Sequence, residues 1–190
     1  MISPQELKRQ YQEKKIKLKE YLRRIYNLAL FYKRRADKDV TGAFSRVFFE
    51  DIIKIEHAQI TRSPNLLVTL MILDVDFFKQ YNDRYGHRAG DELLQNLVSL
   101  LKKRLRKGDV VCRYGGEEFA VILSGTDSKG AAGLSHHLRG EIKKKLKVTI
   151  SIGICQDSKE ISIEKLIKNA DSALYQAKEA GRNREVIFND

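Results

Sequence analysis

Apolar residues along this chain recur with two periods, that of a helix and that of a strand, and the change of period marks the predicted elements. From Phe44 to Ile60 they are spaced as on one face of a helix. The run LLVTLMIL at residues 66–73 is apolar apart from one Thr, which predicts a strand buried on both faces of a sheet. Asp74-Val75-Asp76 follows directly, so two carboxylates lie at the end of that strand.

The rest of the chain predicts a mixed sheet covered by helices. A short helix ends at Tyr85 before Gly86, and a longer one runs from Asp91 to a break at Gly108. The further predicted elements are strands over 110–114 and 119–123 that form a hairpin around Gly-Gly-Glu-Glu, a helix over 128–146, a strand over 148–155, a helix over 162–180 and a strand over 186–188. This order predicts an α/β sandwich built on one mixed sheet.

The N-terminal segment, residues 1–36, has a heptad-like rhythm. Its seam positions, seven of them apolar or aromatic, are Leu7, Tyr11, Lys14, Leu18, Tyr21, Ile25, Leu28 and Tyr32. The rhythm predicts a helix that pairs with a second copy as a dimerising coiled coil, although a single amphipathic helix docked on its own domain has the same pattern. The turn-like run at residues 37–42 predicts a boundary, with residues 37–190 as the second domain.

Length and composition indicate one globular domain with an appendage. Of the 190 residues 42% are hydrophobic and 32% are charged, which supplies a core and argues against intrinsic disorder. We expect no membrane segment, because no apolar run approaches the roughly 20 residues of a membrane helix, and the N-terminus lacks a signal-peptide core. Cys112 and Cys155 are too few for a disulfide framework, so we expect a cytoplasmic protein with both cysteines in its core.

The net charge of +11 is unevenly distributed along the chain. Residues 1–40 hold twelve Lys or Arg and five Asp or Glu, a net of +7, which leaves +4 for the other 150 residues. A basic arm of this kind binds nucleic acid or an anionic membrane surface, or is simply the solvated face of a charged helix.

Acidic residues stand where they would bind a cation. Asp74 ends the buried strand, and Glu117 and Glu118 project from a glycine hairpin, where paired glycines let a large ligand approach the backbone. Acids on two strand ends can share Mg²⁺, which takes one or two carboxylates and completes its shell with water and phosphates. On its own, Gly-Gly-Glu-Glu is more typical of a solvated turn.

Residues suited to a nucleotide accompany these acids. Lys79 opens the short helix, whose N-terminus attracts anions. Lys178 and Arg182 are four residues apart, which predicts that they share a face of the last helix. Asn82 and Asp91 offer hydrogen-bonding groups for a base edge, guanine in particular. Each cation is also typical of a surface position, Asn82 of a polar helix position and Asp91 of an N-cap.

Several ordered motifs over about residues 38–190 resemble one family. The string GGEEF at residues 115–119 is similar to the signature of the GGDEF family, the diguanylate cyclases, in its Glu-containing form. Upstream LDVDFFKQYND and GHRAGDELL, and downstream VTISIGI and ADSALYQAKEAGRN, resemble the other motifs of that family at their usual spacing. The resemblance implies a nucleotidyl-cyclase, polymerase-palm-like α+β sandwich that condenses two GTP molecules into cyclic di-GMP and two pyrophosphates.

The resemblance also implies roles for the matching residues. The metal-binding groups are Asp74, the Val75 carbonyl and Glu117, with Mg²⁺ as the cofactor and Mn²⁺ as an alternative. The catalytic residues are Glu117, Glu118 and Lys79, with Glu118 supporting activation of the 3′-hydroxyl or a metal. The implied GTP-binding residues are Phe77, Phe78, Lys79, Asn82, Asp91, Gly115, Gly116, Lys178 and Arg182. Among them Asn82 and Asp91 read guanine, and the three cations hold the triphosphate.

A homodimer follows from the implied reaction, because each GTP supplies a nucleophile to the other and two domains must meet face to face. Arg106-Lys107-Gly108-Asp109 is similar to the RxxD site of the family, where the product binds and inhibits. Arg106 and Asp109 would hold cyclic di-GMP there, with His137 where a second product-gripping Arg aligns.

Three departures from the family pattern are local. Lys38 replaces the Asp that often precedes the LTG motif, and Ala43-Phe44-Ser45-Arg46 replaces Leu-x-Asn-Arg. The chain between the helix ending near Lys145 and Val148 is short, which predicts the loss of a hairpin.

Two functions of other classes draw on the same residues. A catalytically silent module would bind GTP or cyclic di-GMP only as a signal, but Asp74, Glu117, Lys79, Asn82 and Asp91 are all intact, which favours an enzyme. A polymerase-like domain would bind nucleic acid through the basic arm. No array of aromatic residues interleaved with basic ones extends over the predicted sheet, so we expect no nucleic-acid partner.

Overall fold

The structure of the chain is a computed structural model that describes residues 8–9, 38–62 and 66–189. The chain separates into two compact units, Met1–Asp37 and Lys38–Asp190. Only Lys8 and Arg9 of the first unit are described, and both are helical. The predicted coiled coil therefore lies outside the described residues, whereas every predicted site residue lies in the second unit.

The described part of the second unit is a mixed sheet flanked by helices. Its elements are α1 Arg46–Arg62, β1 Val68–Val75, α2 Phe78–Tyr85, α3 His87–Arg104, β2 Val110–Arg113, β3 Glu118–Ser124, α4 Ser128–Leu146, β4 Ile150–Gln156, α5 Ile163–Glu179 and β5 Glu185–Ile187. The strands lie in the order β2-β3-β1-β4-β5, and all neighbours are antiparallel except the parallel pair β4 and β5. The predicted fold class is confirmed.

β1 is the central strand, and all eight of its residues are buried. It pairs with β3 on one side and β4 on the other, so the prediction of a strand buried on both faces is confirmed. The predicted bounds are two residues too early, because Leu66 and Leu67 are exposed and lie before the strand. At its carboxyl end Asp74 lies opposite Glu118 of β3 and Ser151 of β4. The sheet register therefore brings the first acid beside the glycine hairpin.

Close packing fixes α5 against the sheet. Gly153 of β4 faces this helix, and a Cβ at this position would lie 2.1 Å from the carbonyl oxygen of Ala170 and 2.3 Å from the nitrogen of Leu174. Only glycine allows the two backbones to approach so closely. This packing fixes the distance between the sheet and α5, whose last turn carries Lys178.

Two predictions about the helices are wrong, and a glycine with positive φ lies at each place. α3 begins at His87 directly after Gly86, whose φ is 83°, and not at Asp91. Asp91 is thus inside the helix, and the N-cap is Gly86. α5 ends at Glu179, within one residue of its predicted end, and Gly181 with φ 104° turns the chain. Arg182 therefore lies beyond the helix, and the prediction that it shares a helix face with Lys178 is wrong.

Two further expectations concern connections and the membrane. α4 is joined to β4 by residues 147–149 alone, a link without room for a hairpin. Within the part of the chain that the structure describes, no helix has both the length and the apolar character that a membrane span requires.

Candidate functional site

Asp74 lies at the buried end of β1 and meets a cation from α5. It is 8% exposed, and its Oδ2 lies 2.9 Å from Nζ of Lys178. Burial raises the pKa of the Asp74 carboxyl, and the hydrogen bond from Lys178 opposes that rise. The negative charges of Glu117 and Glu118 raise this pKa further. Three carboxylates and one ammonium therefore interact at this end of the sheet.

The glycine hairpin between β2 and β3 shapes the position of its acids. The backbone N–H groups of Tyr114 and Gly115 both donate to the carbonyl oxygen of Glu118, over 2.8 and 3.1 Å. A Cβ on Gly115 would lie 2.4 Å from Oε2 of Glu118, whereas a Cβ on Gly116 would meet nothing within 4 Å. The Glu118 side chain thus folds over Gly115, and its carboxylate occupies the space that a side chain at residue 115 would take.

The implied metal ligands form a set of oxygen donors that fits Mg²⁺. The Val75 N–H donates to the carbonyl oxygen of Glu117 over 3.4 Å, so the hairpin is tied to the end of β1 that carries Asp74. Among residues 8–9, 38–62 and 66–189, no group of three or more His, Cys, Asp or Glu side chains is arranged to hold a metal. Two carboxylates with a backbone carbonyl match Mg²⁺, which keeps positions for water and phosphate, and not a structural zinc site.

Asn82 and Gly90 fit together where the sequence predicts base recognition. Oδ1 of Asn82 occupies the space that a Gly90 side chain would take, 1.9 Å from the position of its Cβ. This amide oxygen is buried and has no hydrogen-bond partner among the described residues. A buried acceptor without a donor is unusual, and it suits a ligand N–H. Asp91 follows Gly90 directly and is exposed.

The predicted phosphate-binding residues come from two elements. Lys79 is exposed in the first turn of α2, whose N-cap is Phe77 in a left-handed conformation with φ 58°. Lys178 contacts Asp74. Arg182, in the turn after α5, stacks its guanidinium 4.8 Å over the Phe77 ring. The backbone between β1 and α2 therefore lies against the turn that follows α5.

Sequence reasoning missed Arg113, which braces the signature hairpin. Its Nε and Nη2 donate to the carbonyl oxygen of Gly116 over 2.9 and 2.6 Å, and its Nη1 donates to Oδ2 of Asp39 over 2.9 Å. Thr41 donates to the other oxygen of Asp39 through both its N–H and its hydroxyl. The segment ahead of α1 is thus linked to the hairpin, and the only hint in the sequence is a charged residue ending a strand beside two glycines.

The residues of the predicted inhibitory site lie on two neighbouring elements. Oδ2 of Asp109 accepts from the Arg106 backbone N–H over 2.7 Å, which closes a turn after α3 with both residues near the surface. His137 is exposed on α4 and lines a groove with Arg104, Glu141, Lys144 and Lys145. Arg104 and Lys145 lower the pKa of Glu141 to about 2. His137 lines this groove, and Arg106 and Asp109 are not among its lining residues.

Comparisons with known proteins point to one family. The family model described as "Diguanylate cyclase, GGDEF domain" matches residues 36–184. The probable diguanylate cyclase DgcT of Escherichia coli K12 is 33% identical over 175 residues, which cover 86% of this chain and 38% of that protein. This chain likewise spans 35% and 42% of the length of two other curated relatives, diguanylate cyclase A of Treponema denticola and the probable diguanylate cyclase DgcC of Escherichia coli K12.

Solved structures share the fold. The GGDEF domain of DgcB from Caulobacter crescentus, in complex with cyclic di-GMP, aligns with a TM-score of 0.76 and 27% identity over 82% of this chain and 96% of that one. The active GGEEF domain of a diguanylate cyclase from Vibrio cholerae aligns with a TM-score of 0.68 and 28% identity over 74% of this chain and 94% of that one. With the family model matching most of its length, the chain belongs to the GGDEF domain family.

Proposed function

We propose that this chain is a diguanylate cyclase, a nucleotidyltransferase that condenses two GTP molecules into cyclic di-GMP and two pyrophosphates. The observation that carries the proposal is the meeting of Asp74, the GGEEF hairpin and Lys178 at one end of the sheet. These groups are far apart in sequence, and burial of a carboxylate among two others is costly unless a cation joins them. The relatives named diguanylate cyclase support the choice of reaction.

The metal-binding groups would be Asp74, the Val75 carbonyl and Glu117, and their chemistry suits Mg²⁺, with Mn²⁺ as an alternative. A divalent ion there would stabilise negative charge on the phosphates during attack of a 3′-hydroxyl. The Glu118 carboxylate lies over Gly115 and would accept a hydrogen bond or a proton from that hydroxyl.

GTP would be held at its two ends by groups of this chain. The Asn82 amide oxygen and the Asp91 carboxylate accept from the guanine N1–H and amino group, and the buried acceptor of Asn82 gains its missing donor. Lys79, Lys178 and Arg182 pair with the triphosphate. Phe77 and Phe78, at the start of α2, would border the nucleotide together with Gly115 and Gly116 of the hairpin.

Activity would require two copies, because one domain holds one GTP and each GTP must attack the other. Pairing of residues 1–36 as a coiled coil would keep two domains at high effective concentration. Cyclic di-GMP would act as an inhibitor by binding Arg106 and Asp109, with His137 as a third contact. GTP and Mg²⁺ are both plentiful in the cytoplasm, where we place the activity.

Nucleotide analysis separates this proposal from a silent binding module. The chain is incubated with GTP in Mg²⁺, in Mn²⁺ or in EDTA, and the nucleotides are separated by chromatography. We expect cyclic di-GMP with either metal and none in EDTA, and no reaction of ATP. Tight binding of GTP without turnover in either metal would instead identify a module that only senses the nucleotide.

A further inference from the structure

The turn that carries Arg182 has an unusual backbone. Gly181, Arg182 and Asn183 follow one another with positive φ, at 104°, 61° and 47°. Glycine adopts such values readily, but residues with a side chain do so uncommonly and at a cost in conformational energy. Strain of this kind persists where surrounding contacts over-determine it. Asn tolerates positive φ better than Arg does, and the Arg182 N–H donates to the Ala177 carbonyl of α5 over 3.0 Å. Contacts from outside α5 hold the rest of the turn.

Asp76 restrains the turn through a hydrogen bond from the end of β1. It lies just beyond β1, is 5% exposed, and its Oδ2 accepts from the backbone N–H of Asn183 over 3.1 Å. The hydroxyls of Thr149 and Ser151 donate to the same carboxylate over 2.6 and 2.7 Å. These two hydroxyls fix the orientation of the Asp76 carboxylate, and the carboxylate in turn fixes the backbone directly after Arg182.

Arg139 of α4 restrains the turn through a second set of hydrogen bonds. Its Nη1 donates to the backbone carbonyl of Asn183 and lies 3.3 Å from Oδ1 of that residue, while its Nε donates to Glu185. The N–H of Asn183 is thus bound from β1 and its carbonyl from α4. Both peptide groups that flank this left-handed residue are restrained.

The side chain of Arg182 is oriented on the same support. Its guanidinium lies 4.8 Å over the ring of Phe77, the residue that follows Asp76. Backbone and side chain of the turn are therefore both anchored to residues 76–77, next to the acid of the proposed metal set.

We infer that Asp76 and Arg139 are positioning residues that hold the strained turn after α5, so that Arg182 meets the phosphates of bound GTP. The inference rests on the proposed function, in which Arg182 contacts the triphosphate. Neither residue touches the nucleotide itself. Each acts through Asn183, and loss of either hold lets the turn relax toward ordinary φ values and carries the guanidinium away.

A double-mutant cycle tests this role through binding. The probe is 3′-deoxy-GTP, which cannot react because it lacks the nucleophile, and it is titrated calorimetrically in Mg²⁺. We expect Asp76→Asn and Arg182→Ala each to weaken binding about tenfold, the loss of one charge-assisted contact. The double variant should bind no worse than Arg182→Ala alone, because coupled residues are non-additive. Affinity for GMP, which lacks the β- and γ-phosphates, should stay within about twofold.

One control variant and one substitute variant accompany the double-mutant cycle. Asp157→Asn removes another buried carboxylate, 4% exposed, after the far end of β4, where it contacts His57; we expect this variant to bind 3′-deoxy-GTP as the unmutated chain does. If Asp76→Asn does not fold, Arg139→Gln enters the same cycle from α4.

Additive losses in the double variant, or equal losses for 3′-deoxy-GTP and GMP, would overturn the positioning role. The outcome is separate from that of the proposed function. A chain that shows the expected cycle but makes no cyclic di-GMP from GTP would contradict only the cyclase, and an active chain with additive losses would contradict only the positioning role.

Discussion

At the scale of single residues, the behaviour of the site depends on how Asp74 tolerates burial. Its carboxyl is surrounded by low-dielectric core, and Glu117 and Glu118 add negative charge, so the pKa is raised despite Lys178. In the folded protein the ionised form is therefore disfavoured relative to the unfolded chain, and at neutral pH this carboxylate costs stability. A group retained at such a cost is typical of a functional site.

Asp74→Asn and Glu117→Gln should each lower the rate of cyclic di-GMP formation by about 10³-fold or more, because loss of metal-borne stabilisation removes several kcal/mol at 1.36 kcal/mol per tenfold. Turnover is measured at saturating Mg²⁺. Asp74→Asn also relieves the burial of a charge, so it should melt cooperatively near the temperature of the unmutated chain. A variant with near-normal turnover would remove that residue from the metal set.

Asp91→Ala should reduce the preference for GTP over ATP. A site built to accept the guanine N1–H and amino group rejects a base without those donors strongly, and removal of one acceptor should lower the ratio of affinities by about tenfold or more. Competition binding with the two nucleotides measures that ratio. An unchanged ratio would leave Asp91 as an exposed residue in the second turn of α3.

At the scale of elements, the contact of β4 with α5 is the most demanding in the fold. Gly153→Ala places a methyl group 2.1 Å from a backbone oxygen that has no freedom to move aside. We expect a loss of about 3 kcal/mol or more in the free energy of unfolding, measured by denaturant titration, because overpacking against backbone exceeds the usual range. Gly133→Ala on α4, where a Cβ meets nothing within 4 Å, is the control and should stabilise by about 0.5–1 kcal/mol. Equal stabilities would contradict the close approach.

The predicted inhibitory site links the turn after α3 with α4. Arg106→Ala should weaken cyclic di-GMP binding and raise product yield, because a bidentate phosphate or guanine contact is lost. His137→Arg should tighten that binding, since Arg forms a forked contact that imidazole cannot. Calorimetry on protein cleared of nucleotide measures the affinity of each variant for cyclic di-GMP. Identical affinities in all three proteins would exclude these residues from product binding.

The sequence predicts most elements and the acids of the site, because those depend on local periodicity and on motif spacing. β1 is recognised from its apolar run, with bounds two residues too early, and the hairpin from its paired glycines. The sequence does not predict the start of α3 at His87 or the position of Arg182 off the face of Lys178, because in each place a glycine with positive φ sets the chain direction, which a propensity argument does not resolve. The braces at Arg113, Asp76 and Arg139 join residues between 44 and 107 positions apart, through contacts that only the folded sheet creates.

At the scale of the whole molecule, the N-terminal segment is predicted to set how often two catalytic domains meet. Deletion of residues 1–35 should leave binding of 3′-deoxy-GTP unchanged but lower turnover in dilute solution, because an intramolecular encounter becomes a bimolecular one. Turnover per chain should then rise with protein concentration. A truncated chain that sediments as the same dimer and keeps full activity when dilute would remove the coiled coil from the account.

The stoichiometry of GTP consumption distinguishes a diguanylate cyclase from other GTP-binding proteins. The full chain is incubated with GTP and Mg²⁺, and GTP, cyclic di-GMP and pyrophosphate are quantified over time, with Asp74→Asn as the control. We expect one cyclic di-GMP and two pyrophosphates for each two GTP consumed, and no product from the control. GTP that remains intact, or that is converted to GDP and phosphate without cyclic di-GMP, would contradict it.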